Sequence, residues 1–262
     1  MEWQTLKVQL EPEIHLATVA FNRPEAMNAI STQLAKEVLS VLDYLENNDQ
    51  VFAVLWTGSG EKAFCAGADL RERKNMTREQ MKKQRALFVK MFTAVSLFPK
   101  PIIAAVNGYA MGGGFEFALG CDFIIASEQA VFALTEVGLG IIPAGGGTQH
   151  LPRAIGKQRA KELIFSARRL TAREAAEWGI VNHVVPHQEL IPKARAVLGE
   201  ITQNAPIALQ QAKRSINFGV ELDLVSGLTL EAECYNVCLT TEDRDEGLRA
   251  FNEKRKPVYV GR

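Results

Sequence analysis

The chain of 262 residues is long for one compact core but within the range of a single α/β domain with an appendage. Its content of 47% hydrophobic and 23% charged residues is ordinary for a globular protein, and 30 basic residues balance 30 acidic ones. A formal net charge of zero argues against nucleic acid or an anionic membrane as the partner, since both attract strongly basic proteins.

The cysteine spacing and the N-terminal segment favour a cytoplasmic location. None of the cysteines has CxxC spacing, which favours reduced thiols in a cytoplasmic environment. They are Cys65, Cys121, Cys234 and Cys238. The first residues lack the basic start and apolar run of a signal peptide, and the apolar runs are shorter than the ~20 residues of a membrane-spanning helix. We therefore expect a cytoplasmic protein with no membrane segment.

The first 60 residues predict the order strand, strand, helix, strand. Residues 5–21 contain two short alternating runs with Pro12 at the turn between them. The second run is expected to place on one face Ile14, Leu16, Thr18 and Ala20. Ser31 is a plausible N-cap for an amphipathic helix. Residues 51–57 form a continuous apolar run, which is typical of a strand buried on both faces.

The same alternation continues after a charged helix predicted at residues 77–97. Residues 101–106, 123–126 and 131–134 predict strands, and residues 113–120 predict a short helix. Repeated alternation of strands and helices favours an α/β fold built from stacked units.

Helices dominate the remainder of the chain. Residues 157–167 and 172–178 predict helices, and residues 181–185 predict one last strand. Residues 188–255 contain three or four predicted helices and no convincing strand. The longest of these helices keeps a wide apolar face, which needs a partner in the chain's own core or on another subunit.

Two glutamates have unusual surroundings. Glu116 ends the glycine-rich segment Asn107–Glu116, and Glu136 lies in the apolar and glycine-rich segment Leu134–Thr148. Carboxylates are rare in such company unless they are paired or used, and an apolar environment raises a carboxyl pKa toward neutrality. Together the two could hold a water molecule and move its protons. Either one alone is better explained by a helix cap or by pairing with an arginine.

Two loops could present backbone amides to a ligand. Gly112–Gly114 follows a buried strand and precedes a short helix, where free amides point outward at the positive end of the helix dipole. Ala66–Ala68 follows the strand that ends at Thr57. The two loops could form a two-donor oxyanion hole. A short glycine run is also common in plain turns, and Asp69 could be a helix cap.

Other motifs fail. Gly140–Thr148 lacks the lysine of a phosphate-binding loop. His183 and His187 are separated by Pro186, which breaks a helical metal-binding face. No metal site is expected.

Taken in order, these segments resemble the enoyl-CoA hydratase/isomerase (crotonase) family along essentially the whole chain. The segments that carry the resemblance are Phe21–Pro24, Asn28–Ile30, Ala63–Asp69, Asn107–Glu116, Cys121–Asp122, Glu136 and Gly146–Arg153. The resemblance implies an α/β fold, with a crotonase-like spiral of ββα units in residues 1–200. It also implies a C-terminal helical trimerisation region in residues 201–262.

The resemblance further implies a hydro-lyase that adds water to a trans-2-enoyl-CoA in fatty-acid or branched-chain acyl-CoA degradation. The matching oxyanion donors are the amides of Ala68 and Gly113, and the matching acid/base pair is Glu116 and Glu136. Coenzyme A is part of the substrate, and no separate cofactor is expected. The implied contacts to coenzyme A and substrate are Arg23, Ala26, Ala66, Ala68, Asp69, Leu70, Gly113 and Lys254. Lys254 would reach the coenzyme of a neighbouring subunit in a homotrimer or hexamer.

Three alternatives stay open. Residues 141–143, 161–168 and 221–228 are most similar to the methylglutaconyl-CoA hydratase branch of the family. Isomerases are a second alternative, but they commonly lack one of the two glutamates. The same branch includes a member that binds AU-rich RNA, and residues 71–85 carry seven basic side chains against two acidic ones. The balanced net charge and the lack of aromatic residues in that segment argue against RNA binding.

Many hydratases have Pro-Gly where this chain has Pro143-Ala144, and the extra methyl group could alter the acyl preference.

Overall fold

The structure is a computed structural model, and it describes residues 3–262. Within this range strands occur up to Val185, and only helices follow. The strands are β1 (Leu6–Glu11), β2 (Leu16–Phe21), β3 (Ala53–Gly58), β4 (Ala63–Cys65), β5 (Ile102–Val106), β6 (Tyr109–Met111), β7 (Phe123–Ser127), β8 (Val131–Ala133), β9 (Leu170–Thr171) and β10 (His183–Val185). The helices are α1 (Thr32–Glu46), α2 (Leu70–Arg73), α3 (Arg78–Ser96), α4 (Gly113–Gly120), α5 (Gly147–Ile155), α6 (Lys157–Ser166), α7 (Ala172–Glu177), α8 (Leu190–Ile201), α9 (Pro206–Gly219), α10 (Leu224–Leu239) and α11 (Glu242–Glu253).

The strands form two sheets. The larger sheet has the order β1-β2-β3-β5-β7-β10, and all of its neighbours are parallel except β1 and β2. The smaller sheet has the order β4-β6-β8-β9, in which β4, β6 and β8 are parallel. From β3 to β8 successive strands alternate between the two sheets, so each pair of strands adds one layer to both. This is the α/β architecture of stacked units that the alternating pattern predicts.

Apolar cores lie on both faces of the larger sheet. In β3, Val54 and Trp56 pack into the main core, whereas Ala53 and Leu55 face the other side. There they meet α8 through a second cluster that includes Leu198. The prediction of a strand buried on both faces is therefore confirmed.

The alternation predicted for β2 is confirmed. Leu16 packs into the second cluster and Ile14 lies against it, whereas Ala17, Val19 and Phe21 are fully buried in the main core on the opposite face. Thr18 and Ala20, on the face of Leu16, are partly buried. Both faces are covered because β2 is an interior strand between β1 and β3.

Several short elements escaped the sequence patterns, whereas the longer ones were predicted. The helix at 113–120 and the charged helix at 77–97 are confirmed within one or two residues, and residues 188–255 contain four helices, in agreement with the prediction of three or four. The strands β4, β6 and β9 were missed, although β8 and β10, which are equally short, were predicted from the longer apolar runs around them. Helix α5 was also missed, because it begins within a glycine run and contains Pro152.

The last three helices lie beside the core and keep apolar side chains exposed. Helices α9 and α10 pack against each other as a hairpin. An ion pair joins this hairpin to the core, with Lys213 Nζ 2.9 Å from the Asp122 carboxylate. Arg153 of α5 and Glu221 in the α9–α10 turn form a second ion pair at 2.6 Å.

Two kinds of feature are absent from residues 3–262. None of the helices there is both long enough and apolar enough to cross a membrane. In the same range no group of three or more histidine, cysteine, aspartate or glutamate side chains is arranged to hold a metal ion.

Candidate active site

Three segments meet at one edge of the smaller sheet. Because β4, β6 and β8 are parallel neighbours, their carboxyl ends lie side by side. The segment after β4 carries Ala68, the segment after β6 carries Gly113, and the segment after β8 carries Glu136. All three line a cavity of about 600 Å³, which helix α3 and residues 141–145 enclose on the other side.

Two backbone amides at this edge have no protein acceptor. The N–H groups of Ala68 and Gly113 make no hydrogen bond within residues 3–262. Their two loops touch, since a Cβ added at Gly67 would lie 3.2 Å from the nitrogen of Gly113 and 2.8 Å from the carbonyl oxygen of Met111. Gly67 also has a φ of +89°, so glycine is needed there for both conformation and space. The arrangement offers two neighbouring donors to an oxygen atom in the cavity.

Glu116 is held rigidly at the floor of the cavity. It is 3% exposed and lies in the first turn of α4, as the sequence predicted. Its Oε1 accepts hydrogen bonds from the N–H groups of Gly145 at 2.6 Å and Gly147 at 2.9 Å. Burial raises the pKa of this carboxyl, while the two amides partly offset the effect by stabilising the anion. The carboxylate is therefore fixed in position and able to accept a proton.

Glu136 faces the same cavity with fewer partners. Its Oε2 is buried and makes no hydrogen bond within residues 3–262. Burial and the nearby charge of Glu116 raise the pKa of Glu136 to about 7. The carboxyl lies against the backbone of Gly112, where an added Cβ would approach Oε1 to 3.1 Å. A carboxyl group in this setting keeps its proton to a higher pH than an exposed glutamate does.

Comparison with known proteins explains this geometry. The profile of the enoyl-CoA hydratase/isomerase family matches residues 11–262. The chain belongs to the enoyl-CoA hydratase/isomerase family. A protein of Clostridium acetobutylicum named short-chain-enoyl-CoA hydratase is 45% identical over 95% of this chain and 95% of its own length. A crotonyl-CoA hydratase of Syntrophomonas wolfei is 40% identical over 97% of each chain. The crystal structure of an enoyl-CoA hydratase from Bacillus anthracis has a TM-score of 0.96 and 45% identity, and the match covers 99% of this chain and 100% of that one.

Family membership settles the fold class. The two-sheet core is the crotonase-like spiral of ββα units, and the C-terminal region is helical, as the resemblance implied. The roles of individual residues do not follow from membership alone, so each predicted site residue is placed by its own contacts.

Two of the other predicted contacts line the cavity and four lie away from it. Ala66 and Leu70 contribute to the cavity wall. Asp69 instead caps α2, accepting hydrogen bonds from the N–H groups of Arg71 and Glu72, and its other oxygen lies 2.9 Å from Arg23 Nη2. The helix cap that the sequence analysis considered for Asp69 is therefore present. The guanidinium of Arg23 is paired with the same carboxylate.

The two remaining predicted contacts are also outside the cavity of their own chain. Ala26 ends a short 3₁₀ turn, Pro24–Ala26. Lys254 is exposed at the C-terminal end of α11. A role for Lys254 at the coenzyme of a neighbouring subunit stays a prediction of the family resemblance.

Several residues that line the cavity were not named in the sequence analysis as site residues. Phe88 and Phe92 of α3 form an apolar wall, and an added Cβ at Gly145 would lie only 2.5 Å from the Phe92 ring. Arg73 and Arg85 also line the cavity. The basic character of residues 71–85 was the sequence signal for these arginines, and the sequence analysis weighed it only as a possible RNA-binding segment.

Proposed function

We propose that this protein is an enoyl-CoA hydratase that converts a trans-2-enoyl-CoA into a 3-hydroxyacyl-CoA. The observation that carries the proposal is one cavity lined by the buried carboxyl group of Glu116, the partly buried one of Glu136 and two backbone amides that have no acceptor within residues 3–262. Family membership makes the chain an enzyme of the hydro-lyase type, in line with relatives named short-chain-enoyl-CoA hydratase and crotonyl-CoA hydratase.

The two amides would stabilise the charge that develops during hydration. When water adds to C3, the electrons of the C2=C3 bond move toward the thioester carbonyl, whose oxygen becomes an enolate oxygen. The N–H groups of Ala68 and Gly113 donate to that oxygen from fixed positions, so no reorganisation is needed. In comparable oxyanion holes the loss of one donor costs ~3–4 kcal/mol of transition-state stabilisation.

The two glutamates would move the protons. Glu116, whose Oε1 is held in place by two amides, orients the water molecule and takes one of its protons as the oxygen bonds to C3. Glu136, with its raised pKa, gives a proton to C2 as the enolate collapses back to the thioester. The product gains one hydroxyl and one hydrogen, and proton exchange between the two carboxyl groups and solvent restores the starting state.

Substitution of each glutamate by glutamine tests this assignment. Glu116→Gln and Glu136→Gln are each expected to lower kcat for crotonyl-CoA hydration by about 10²–10⁴-fold, because each removes one proton-transfer group. The rate is followed by the loss of ultraviolet absorbance of the conjugated enoyl thioester. The circular dichroism spectrum and the oligomeric state should stay unchanged, which separates lost chemistry from misfolding.

The chemical identity of the product discriminates hydration from isomerisation. A hydratase produces 3-hydroxyacyl-CoA, whereas an isomerase shifts the double bond and adds no mass. Mass spectrometry of the product would contradict the proposal if the substrate were isomerised without gain of water. Near-normal hydration by either variant would reject the role of that residue.

Further proposals concern the assembly, the pathway and the location of the protein. We propose that residues 1–200 hold the acyl-CoA site and that residues 201–262 form the contacts of a homotrimer or of a hexamer built from two trimers. The support is the exposed apolar surface of α9 and α10. We also propose a role in fatty-acid or branched-chain acyl-CoA degradation, and a cytoplasmic location that the cysteine usage favours.

A further inference from the structure

A histidine packs against the glycine loop that holds Glu116. Gly145 and Gly147 donate their N–H groups to Glu116 Oε1, and Gly146 lies between them in the chain. A Cβ added at Gly146 would lie 2.6 Å from Cδ2 and 2.9 Å from Nε2 of His150. The imidazole therefore contacts the backbone between the two amides that fix the carboxylate.

A hydrogen bond connects the same imidazole to helix α3. Ser96 Oγ lies 3.1 Å from His150 Nε2 and 3.1 Å from the carbonyl oxygen of Phe92. Because a carbonyl can only accept, the hydroxyl donates its one hydrogen to Phe92, and its oxygen accepts from Nε2–H of His150. The ring thus links α3, which encloses the cavity, to the beginning of α5.

The surroundings of Ser96 leave its hydroxyl little freedom. A Cβ added at Gly120, the last residue of α4, would lie 3.0 Å from Ser96 Oγ. Phe92, one turn earlier on α3, also faces the glycine loop, since a Cβ added at Gly145 would lie 2.5 Å from its ring. Helices α3 and α4 and the glycine loop thus lie in close contact here, and the hydrogen bond from Ser96 to His150 fixes α5 against them.

The imidazole of His150 acts on Glu116 without adding a charge near neutral pH. Burial and the charge of Arg153 lower the pKa of His150 below its ordinary value of 6.5, so the ring is uncharged at neutral pH. His150 also does not line the cavity. Any influence on the carboxylate must therefore pass through the loop, whose amides lower the pKa of Glu116 against the effect of burial.

We propose that His150, hydrogen-bonded to Ser96, is a positioning residue for the base Glu116. The inference rests on the proposed function, because it names the group that holds the base of that reaction in place. Without the imidazole the Gly145–Gly147 loop can move away from the carboxylate. The two amides would then stabilise the anion less, and Oε1 would lose its fixed orientation toward the attacking water.

The pH profile of kcat for crotonyl-CoA hydration separates positioning from packing. His150→Ala should lower kcat at pH 7 by about ten- to a hundredfold, since a displacement of ~1 Å at a reacting group has effects of this size. With weaker hydrogen bonds from the amides Glu116 keeps its proton to a higher pH, so the acid limb of the profile should move to higher pH. KM should stay within about twofold of wild type, because the oxyanion amides are untouched.

The charged groups around the pair are the same in wild type and variant. Arg85 of α3 and Glu136, after β8, act on Glu116 in the cavity, and Arg153 of α5 acts on His150. None of them is changed by the substitution. A displaced acid limb therefore reports the hydrogen bonds of Glu116, whereas a loss of packing alone lowers kcat across the profile and leaves the limb in place.

Two further variants keep the test independent of the stability of His150→Ala. Ser96→Ala removes the partner from α3 and should displace the acid limb in the same direction. His150→Gln places an amide nitrogen near the position of Nε2, where it can donate to Ser96, so kcat and the acid limb should stay close to wild type. Because the two residues act as one unit, the double alanine variant should lose no more activity than either single variant.

His187→Ala is the matched control. His187 also pairs with a serine, with Nδ1 3.1 Å from Ser127 Oγ, but neither residue lines the cavity. Its pH profile should match that of wild type. Circular dichroism and the oligomeric state of every variant are measured alongside, so that misfolded protein is recognised.

Three results would overturn the positioning role. They are an unmoved acid limb in folded His150→Ala, an equal displacement in His187→Ala, and independent, additive losses from the two alanine substitutions. Each of them leaves the proposed function intact if wild type hydrates crotonyl-CoA. Wild-type protein without this activity would instead reject the proposed function, and the positioning role with it.

Discussion

Glu116 and Glu136 lie in one cavity but in different electrostatic states. Glu116 is the more deeply buried of the two, yet two backbone amides stabilise its anion. Glu136 has a buried oxygen with no partner within residues 3–262, and its pKa rises to about 7. Burial raises the pKa of both carboxyl groups, and the hydrogen bonds from the two amides oppose that rise at Glu116.

The raised pKa of Glu136 predicts a pH dependence of stability. In the unfolded chain its pKa is near the ordinary value of 4.5, so the folded protein binds more protons than the unfolded one between pH 4.5 and about 7. Stability from this group is fully present below 4.5 and is lost as the pH rises through 7. Glu136→Gln cannot ionise, so it should be more stable than wild type at pH 8 and similar at pH 5. After allowance for solvent screening we expect a gain of about 1 kcal/mol, or ~2–4 °C in Tm.

Thermal unfolding of wild type and variant at the two pH values measures this difference. Glu79→Gln is a suitable control, because Glu79 is exposed on α3 and pairs only with Lys83. An equal Tm difference at pH 5 and pH 8 would show that ionisation of Glu136 does not destabilise the fold.

Gly145 shows how little space the site leaves. An added Cβ would lie 2.5 Å from Phe92 Cε2 and 2.8 Å from Glu116 Oε2. Gly145→Ala must therefore displace the ring or the carboxylate, and we expect crotonyl-CoA hydration to fall at least tenfold with destabilisation of about 1–3 kcal/mol. Gly199→Ala is the control, since an added Cβ there meets nothing within 4 Å and α8 gains helix propensity. Full activity of Gly145→Ala would show that the loop relaxes without consequence for Glu116.

At the scale of elements, parallel strand order assembles the site. The carboxyl ends of β4, β6 and β8 share one edge, so the short segments that follow them meet there. Helix α3 then closes the cavity and brings Arg85 to the carbonyl of Ala144. The elements that carry the chemistry are thus held by a rigid sheet.

One ion pair connects the helical appendage to this core. Lys213 of α9 lies 2.9 Å from Asp122, and its side chain is only 10% exposed. It also donates to the carbonyl oxygen of Lys100 at 3.0 Å. Lys213→Met should destabilise the protein by about 1–3 kcal/mol, because Asp122 loses its cationic partner in a half-buried position.

Chemical denaturation measures the loss, and hydrogen exchange shows whether α9 opens first. Lys83→Met provides the comparison, since the Lys83–Glu79 pair has both side chains 76% exposed and should contribute less than ~0.5 kcal/mol. Equal effects of the two substitutions would mean that Lys213 does not anchor the appendage.

At the scale of the whole molecule, the exposed apolar face of the appendage stands out. Val220, Leu224 and Val225 are each at least 74% exposed, and Leu228 is 53% exposed. Continuous apolar surface of this kind is typical of a subunit interface. The double substitution Val225→Glu and Leu228→Glu should convert a trimer or hexamer into monomers, because it would bury unpaired charges at the contact.

Sedimentation velocity of the wild type and the double variant tests the interface. Glu200→Lys, an exposed change at the end of α8, is expected to leave the assembly intact. A wild-type protein that sediments as a monomer would contradict the oligomerisation region. If Lys254 serves a neighbouring subunit, the monomeric variant should also show a raised KM for crotonyl-CoA.

The sequence by itself determined the long elements, the two unusual glutamates and the two amide-bearing loops. Periodicity and capping are local properties, so the helix that begins at Gly113 and the buried strand at 51–57 could be predicted from neighbouring residues. The family resemblance then supplied candidate roles for Glu116, Glu136, Ala68 and Gly113. It left the acyl pocket undefined.

Only the tertiary structure decided which of these residues meet. Glu116 receives the N–H of a residue 29 positions away, and Arg85 reaches a carbonyl 59 positions away. Such contacts depend on strand order and helix packing, which no local pattern encodes. The same packing turned Asp69 into a helix cap paired with Arg23, and it brought Arg73 and Arg85 from a basic surface segment into the cavity.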